Sequence, residues 1–307
     1  MIIKHRYDKI VICYRQLTLI QKLAISQGGY FMSNPDSFIR WAGGKSWFID
    51  EFSRIISGIE IKNYYEPFVG GGAIFFSLPH DRYKHAYLSD INPDLINTYE
   101  QIRDNAAEVV NCFVQFNNSK EEYYSIRDKR FDTPIERAAQ FIFLNQTSFN
   151  GIYRVNKQGQ YNVPYGYRKS WHYDVERIFE TSHKLQGIKL KCCDFTEYKY
   201  RIKERDLVFL DPPYTVSHNN NGFIEYNKKL FSLDDQYRLK EYIDFIKGKG
   251  AYYIMTNAAH SVIESIFKAK EDIMIPLDRN SLIGGKQSKR GIIKEYIFTN
   301  IPQEAKP

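Results

Sequence analysis

The stretch Leu207-Val208-Phe209-Leu210-Asp211-Pro212-Pro213-Tyr214 decides the reading, because an apolar strand runs directly into a polar tetrad stopped by two prolines. In open α/β sheets the ligand crevice lies outside the carboxyl ends of the strands. The tetrad stands where a site belongs if the rest of the chain builds such a sheet. Strand-like runs recur at 62–65, 85–89, 188–192, 206–210, 251–256, 272–275 and 293–299, most of them separated by helix-length amphipathic segments such as 233–246. That alternation predicts an α/β fold, a doubly wound Rossmann-like sheet with a possible antiparallel strand at its end.

The alternation breaks once. Between Asp90 and Ile188 the pattern turns helical, with segments at 93–103, 106–116 and 134–145, and then enters a polar, aromatic loop. We expect an inserted, mainly helical domain over 93–186, dividing the sheet domain into 32–92 and 187–301. Its hairpin loop, 147–171, interleaves Arg154, Lys157, Arg168 and Lys169 with Phe149, Tyr153, Tyr161, Tyr165, Tyr167 and Trp171. Cations beside flat rings suit phosphates beside bases. A solvated loop pinned by core aromatics is the plainer alternative.

With 307 residues the chain has length for about two domains of ~150 and for a core needing no disulfide or metal. No apolar run reaches the ~18 residues that span a bilayer, so no membrane role is expected. Cys13, Cys112, Cys192 and Cys193 form no C-x-x-C pair and have no histidine cluster at zinc spacing, which predicts a metal-free, cytoplasmic protein. The net charge of +7 hints at a polyanionic partner. Residues 1–31, with Lys4, Arg6, Lys9, Arg15 and Lys22 against Asp8, hold four of those seven charges. They contain no clean signal-peptide core, and we expect a loose appendage or an upstream start with Met32 as the working initiator.

The tetrad has a chemical logic. An adenine amino group is a poor nucleophile because its lone pair is delocalised into the ring, and activating it calls for acceptors for both N–H protons and a ring to hold the base. Asp211 offers a carboxylate, the Pro212 carbonyl faces a proline that cannot donate to it, and Tyr214 offers a ring face. A second block, Glu66-Pro67-Phe68-Val69-Gly70-Gly71-Gly72, follows a strand but lacks the glycine at Phe75 that a dinucleotide fingerprint requires. Asp90, at the end of the next strand, is placed to take ribose hydroxyls, so a nucleoside without phosphates fits better. A third block, Arg40-Trp41-Ala42-Gly43-Gly44-Lys45-Ser46, imitates a P-loop but has Ile39 where the first glycine belongs.

Taken together, the chain resembles the Dam family of DNA adenine-N6 methyltransferases, the D12 class. Residues 38–45 resemble the family's N-terminal methyl-donor motif, 66–72 its glycine motif, 149–156 with 161–166 its target-recognition hairpin, and 211–214 its catalytic tetrad. The resemblance implies binding of S-adenosylmethionine, with Trp41, Lys45, Glu66, Phe68, Gly70, Gly72, Asp90 and Asp211 as the candidate donor set. Asp194 and Phe195 look like the segment that meets the donor's adenine. Asp211, Pro212 and Tyr214 are the candidate catalytic residues. Double-stranded DNA is the implied partner and GATC the implied target, with Arg40, Phe149, Asn150, Ile152, Arg154, Asn156, Asn162 and Pro164 as candidate DNA contacts. Phe149 stands where family members place an intercalating aromatic, and Arg154 where guanine is read; arginine suits bidentate contact with guanine O6 and N7. Arg40 replaces a common lysine and Ile152 a commoner leucine. Residues 219–231, with Tyr226 and Phe231, resemble a loop that folds over the flipped base.

The expected reaction therefore begins with a base taken out of the stack, since the amine cannot meet a methyl donor inside a duplex. No metal and no covalent intermediate is needed, and a monomer is the default for an enzyme that embraces a duplex. The basic stretch Lys286, Lys289, Arg290 and Lys294 suits phosphate contact or a solvated hairpin. The alternatives are an RNA adenine-N6 or DNA cytosine-N4 methyltransferase, or a catalytically decayed DNA-binding module.

Overall fold

The computed structural model describes residues 38–156, 158–168, 174–214, 231–280 and 292–303. The expectations for residues 1–31, Lys157, Lys169, Trp171, Tyr226, Lys286, Lys289 and Arg290 fall outside them. Seven strands form one sheet: β1 (Asn63–Glu66), β2 (His85–Asp90), β3 (Lys189–Cys192), β4 (Leu207–Leu210), β5 (Tyr252–Ala258), β6 (Ile273–Asn280) and β7 (Ile292–Thr299). Their order is β3-β2-β1-β4-β5-β7-β6. β1 to β5 pair in parallel, and β7 enters between β5 and β6 antiparallel to both. All seven expected runs are strands.

Eight α-helices accompany the sheet: α1 (Ile49–Ile55), α2 (Ala73–Ser77), α3 (Pro93–Phe113), α4 (Lys120–Asp128), α5 (Pro134–Thr147), α6 (Val175–Lys184), α7 (Leu233–Gly248) and α8 (Ser261–Phe267), counted among the described residues. Side chains alternate between the two sheet faces along each strand. Tyr65, Val208, Leu210, Tyr253 and Met255 share one core with Leu239, Tyr242 and Ile246 of α7 and Ile263 of α8. Phe209 and Tyr64 instead meet Phe48, Phe52 and Phe75, which lie in and beside α1 and α2. Helices on both faces make the sheet doubly wound, and its strand order reverses between β1 and β4. Ligands bind α/β sheets at that switch point, outside the carboxyl ends.

The stretch between β2 and β3 holds α3 to α6. Asn92 starts α3 by accepting from the backbone N–H groups of Asp94 (3.0 Å) and Leu95 (3.1 Å), and Pro93 follows where its missing N–H costs nothing. Thr133 and Glu136 cap α5 reciprocally. The sequence predicts separate helices at 93–103 and 106–116; the chain instead makes one run to Phe113 with a break at Asn105, where φ is −139° and ψ 38°. Asparagine gives up helical geometry at little cost, so the break falls between the two expected segments without separating them.

Candidate active site

Glu66, Asp90 and Asp211 come together at the switch point because β1 and β2 end on the first two and β4 ends just before the third. Asp211 Oδ1 is held twice, by Lys45 Nζ at 2.8 Å and by the hydroxyl of Thr256 on β5 at 2.6 Å. Lys45 is buried and also donates to the Gly43 carbonyl at 2.7 Å. Burial pushes the Asp211 carboxyl up, and the Lys45 ammonium and Thr256 hydroxyl pull it part of the way back.

Tyr214 is fixed by residues that the sequence did not single out. Its hydroxyl donates to Glu295 of β7, whose other carboxylate oxygen pairs with Arg279 of β6. Glu295 is buried, and Arg279 also lies 5.8 Å from the Trp47 ring. The Lys45 ammonium sits 5.1 Å from the centre of the Tyr214 ring, a cation–π contact that joins the tyrosine to the Asp211 pair.

The glycine turn packs beside this pair. Gly70 has φ +46°, and a Cβ there would come within 2.6 Å of the Trp41 ring, so only glycine lets that ring lie over the turn. The Gly70 N–H donates to Asp90 Oδ2 at 3.1 Å, and Asp90 Oδ1 accepts from the Asn92 N–H at 3.0 Å. Gly72, at φ +69°, faces Phe76, which a Cβ would meet at 2.7 Å. Glu66 is buried and accepts from the Tyr64 hydroxyl at 2.6 Å; burial raises its carboxyl to about 8, against the pull of that hydrogen bond.

Phe68 stacks on Phe195 at 5.3 Å and meets Phe231 edge-on at 5.7 Å. Phe195 is buried in the core shared with α7. Asp194 is bound to the Thr196 hydroxyl at 2.7 Å and to Arg238 of α7 at 3.0 Å. The structure thus groups Asp194 with Arg238, while Trp41, Gly70 and Asp90 form one cluster and Lys45, Asp211 and Tyr214 another.

Residues 145–166 are tied to Arg40 and Trp41 at two points. Tyr153 stacks on Trp41 at 5.4 Å and 22°, and its hydroxyl donates to Asp94 at 3.1 Å. Asn145 of α5 clasps the Arg40 backbone, accepting its N–H at 2.9 Å and donating to its carbonyl at 2.8 Å. Gly151, at φ +64°, leaves room for the Arg40 side chain, which a Cβ would meet at 2.4 Å. Isolated antiparallel bridges at Ser148–Tyr165 and Val155–Tyr161 give the segment its hairpin form. Phe149 is 53% exposed, and its N–H is held by the Pro164 carbonyl at 2.8 Å. Asn150 beside it adopts φ 57°. Arg154 folds back on Asn162, with 2.8 Å to its side-chain oxygen and 3.2 Å to its carbonyl. Asn156 organises the tip by accepting from the N–H groups of Gln158 and Gln160, each at 3.0 Å. Ile152 is half-buried, and its carbonyl accepts from the Tyr161 hydroxyl at 2.8 Å.

The family model for the D12 class of N6 adenine-specific DNA methyltransferases matches residues 41–281. The chain belongs to this family. A type II methyltransferase of Lactococcus lactis subsp. cremoris is 34% identical over 87% of this chain and 96% of its own length. A type II methyltransferase of Methanocaldococcus jannaschii is 34% identical over 72% of this chain and 83% of its own. The DNA adenine methylase of Vibrio cholerae is 32% identical over 74% and 82% respectively. Within this D12-class methyltransferase, the matched span takes in Lys45, the glycine turn, the hairpin, Asp211 and Tyr214, and it stops before Glu295. Among the described residues there is no group of side chains that could hold a metal and no helix long and apolar enough to cross a membrane.

Proposed function

We propose that the protein transfers a methyl group from S-adenosylmethionine to N6 of an adenine flipped out of duplex DNA, in GATC. The observation that carries this reading is the Asp211 carboxylate, anchored through one oxygen by Lys45 and Thr256 next to Pro212 and Tyr214. The pocket fits a cationic nucleoside donor. Asp90 and Asp211 converge there with Lys45 as the paired cation, and Glu66 beside them holds its proton, leaving the site short of positive charge. Trp41, Gly70 and Asp90 would hold the nucleoside, with Asp90 offering its carboxylate to hydroxyls. The donor's sulfonium supplies the electrophilic methyl group.

The protein's own part is alignment. Asp211 Oδ2 and the Pro212 carbonyl accept the two N–H protons of the amine, which turns the nitrogen lone pair toward its target. Tyr214 presents its ring to the base, held by Glu295. Alignment of this kind supplies several kcal/mol of a barrier. Flipping costs a few kcal/mol, which Phe149 in the vacated stack and Tyr214 on the base offset at ~1–3 kcal/mol per ring. Arg154 and Arg40 would read guanines from the hairpin side.

Asp211→Ala tests the assignment. It should keep duplex affinity and lose at least about 100-fold in methyl transfer. Turnover near the wild-type rate would remove Asp211 from the chemistry.

A further inference from the structure

The end of the sheet opposite Asp211 carries a second constellation, unused by the chemistry above. Asn63 and Glu66 mark the two ends of β1, separated by about 10 Å at ~3.3 Å per residue. A cleft of about 370 Å³ opens on the Asn63 side, between the amino ends of β1 and β2 and the turn before β4. Lys62, Lys84, Arg201 and Lys203 line it, together with Tyr65 and Tyr87, whose rings stack at 4.7 Å and 8°. All four cations are exposed, and none has an ion pair among the described residues. Of the nearby carboxylates, Glu60 pairs with Arg205, Glu197 pairs with Lys191, and Asp206 is buried and bonded to Asn63 and the Lys203 backbone. The Lys84 N–H donates to the Lys62 carbonyl at 2.8 Å, which places two lysines on adjoining backbone just before β1 and β2.

A second cleft, of about 320 Å³, shares Tyr87 and Arg201 with the first and continues along the edge strand β3 past Lys189 and Lys191. The two form a groove whose cations outnumber its one lining carboxylate, Glu197, which pairs with Lys191. Tyr200 lines its wall, 88% exposed, with its ring packed at right angles against Phe245.

We propose that this groove binds a single-stranded stretch of nucleic acid at a site separate from the catalytic pocket, with phosphates on the cations and a base on the Tyr200 ring. Cations tracking a groove beside an exposed aromatic face are the elements of sequence-tolerant strand binding. An acidic peptide would satisfy the cations and leave the ring unused, and a duplex keeps its bases stacked out of the ring's reach. The assignment depends neither on GATC nor on which base is methylated.

The test uses the full-length protein, its catalytic face saturated with a short unlabelled duplex, and a fluorescein-labelled oligothymidylate read by anisotropy. The triple variant Lys62→Ala, Lys84→Ala, Lys203→Ala should bind the probe at least ten-fold more weakly. Its salt slope should fall by about 2, at ~0.7 for each phosphate no longer neutralised. Methylation of a short duplex should be unchanged, which certifies the fold. Tyr200→Ala should weaken the oligonucleotide at least five-fold and leave tripolyphosphate binding as it was. An oligouridylate arm assigns the site to DNA or RNA by whichever binds tighter, and either assignment supports a strand site. Equal probe affinity and slope in the triple variant would overturn the proposal, and so would oligoglutamate bound as tightly as the oligonucleotide.

Discussion

The candidate catalytic pocket and the candidate recognition hairpin hold their polar groups in opposite ways. In the pocket each functional side chain is braced from another element: Asp211 by Lys45 and β5, Tyr214 by β7, Asp90 by the glycine turn. In the hairpin the polar groups satisfy one another, with Arg154 on Asn162 and Asn156 on its own tip, and Phe149 half open to solvent. The difference shows where preorganisation has been built. On the proposed assignment, groups that align reacting atoms are fixed in advance, whereas groups that read DNA would exchange internal hydrogen bonds for base edges. Trp41 against Tyr153 is the seam where the two regions meet.

The largest expected effect falls in the pocket. Lys45→Met removes the ion-pair partner of a carboxylate withdrawn from water, and breaking a buried pair from one side costs about 3 kcal/mol. Denaturant melts should show that loss alongside a collapse of methyl transfer. A variant as stable as wild type would mean that the pair does not brace the site.

Arg154→Ala should behave oppositely. Stability should stay within ~0.5 kcal/mol, as for an exposed side chain, while discrimination against a changed guanine falls by ~1–3 kcal/mol. The check is kcat/KM on duplexes that differ at one guanine. Unaltered discrimination would take Arg154 out of the reading.

The third effect is a pH signature. Glu66 holds its proton to about 8 in the folded protein, against an ordinary value of 4.5. Between those values the native state binds more protons than the unfolded one, so this group lowers stability as pH rises through the window. Glu66→Gln keeps an acceptor for Tyr64 and removes the titration. Its melting temperature should gain on wild type as pH climbs from about 5 to about 8, and parallel curves would show that Glu66 is not held protonated.

Much of this was legible in the sequence for a definable reason. The seven strands stood out because apolar runs alternate with amphipathic segments, and the site because Asp211, Glu66 and Asp90 each sit on or just after a strand end. What escaped reading depends on contacts distant in the chain. Glu295 braces Tyr214 only because β7 inserts antiparallel between β5 and β6, and nothing around Glu295 announces it. Asn145 looks like an ordinary helical polar residue until its amide is seen closing on the Arg40 backbone. Glycine at position 70 could be read as room for a ligand; the structure shows that room filled by the Trp41 ring.

The most direct test of the central claim is to express the protein in a host without adenine methylation. Its DNA is then challenged with one nuclease that cuts only unmodified GATC and another that cuts only the methylated form. We expect protection from the first and cleavage by the second, and N6-methyladenine in the digested DNA. Soluble protein with no N6-methyladenine in host DNA would contradict the account, while N6-methyladenine in another sequence would overturn only the assignment of GATC.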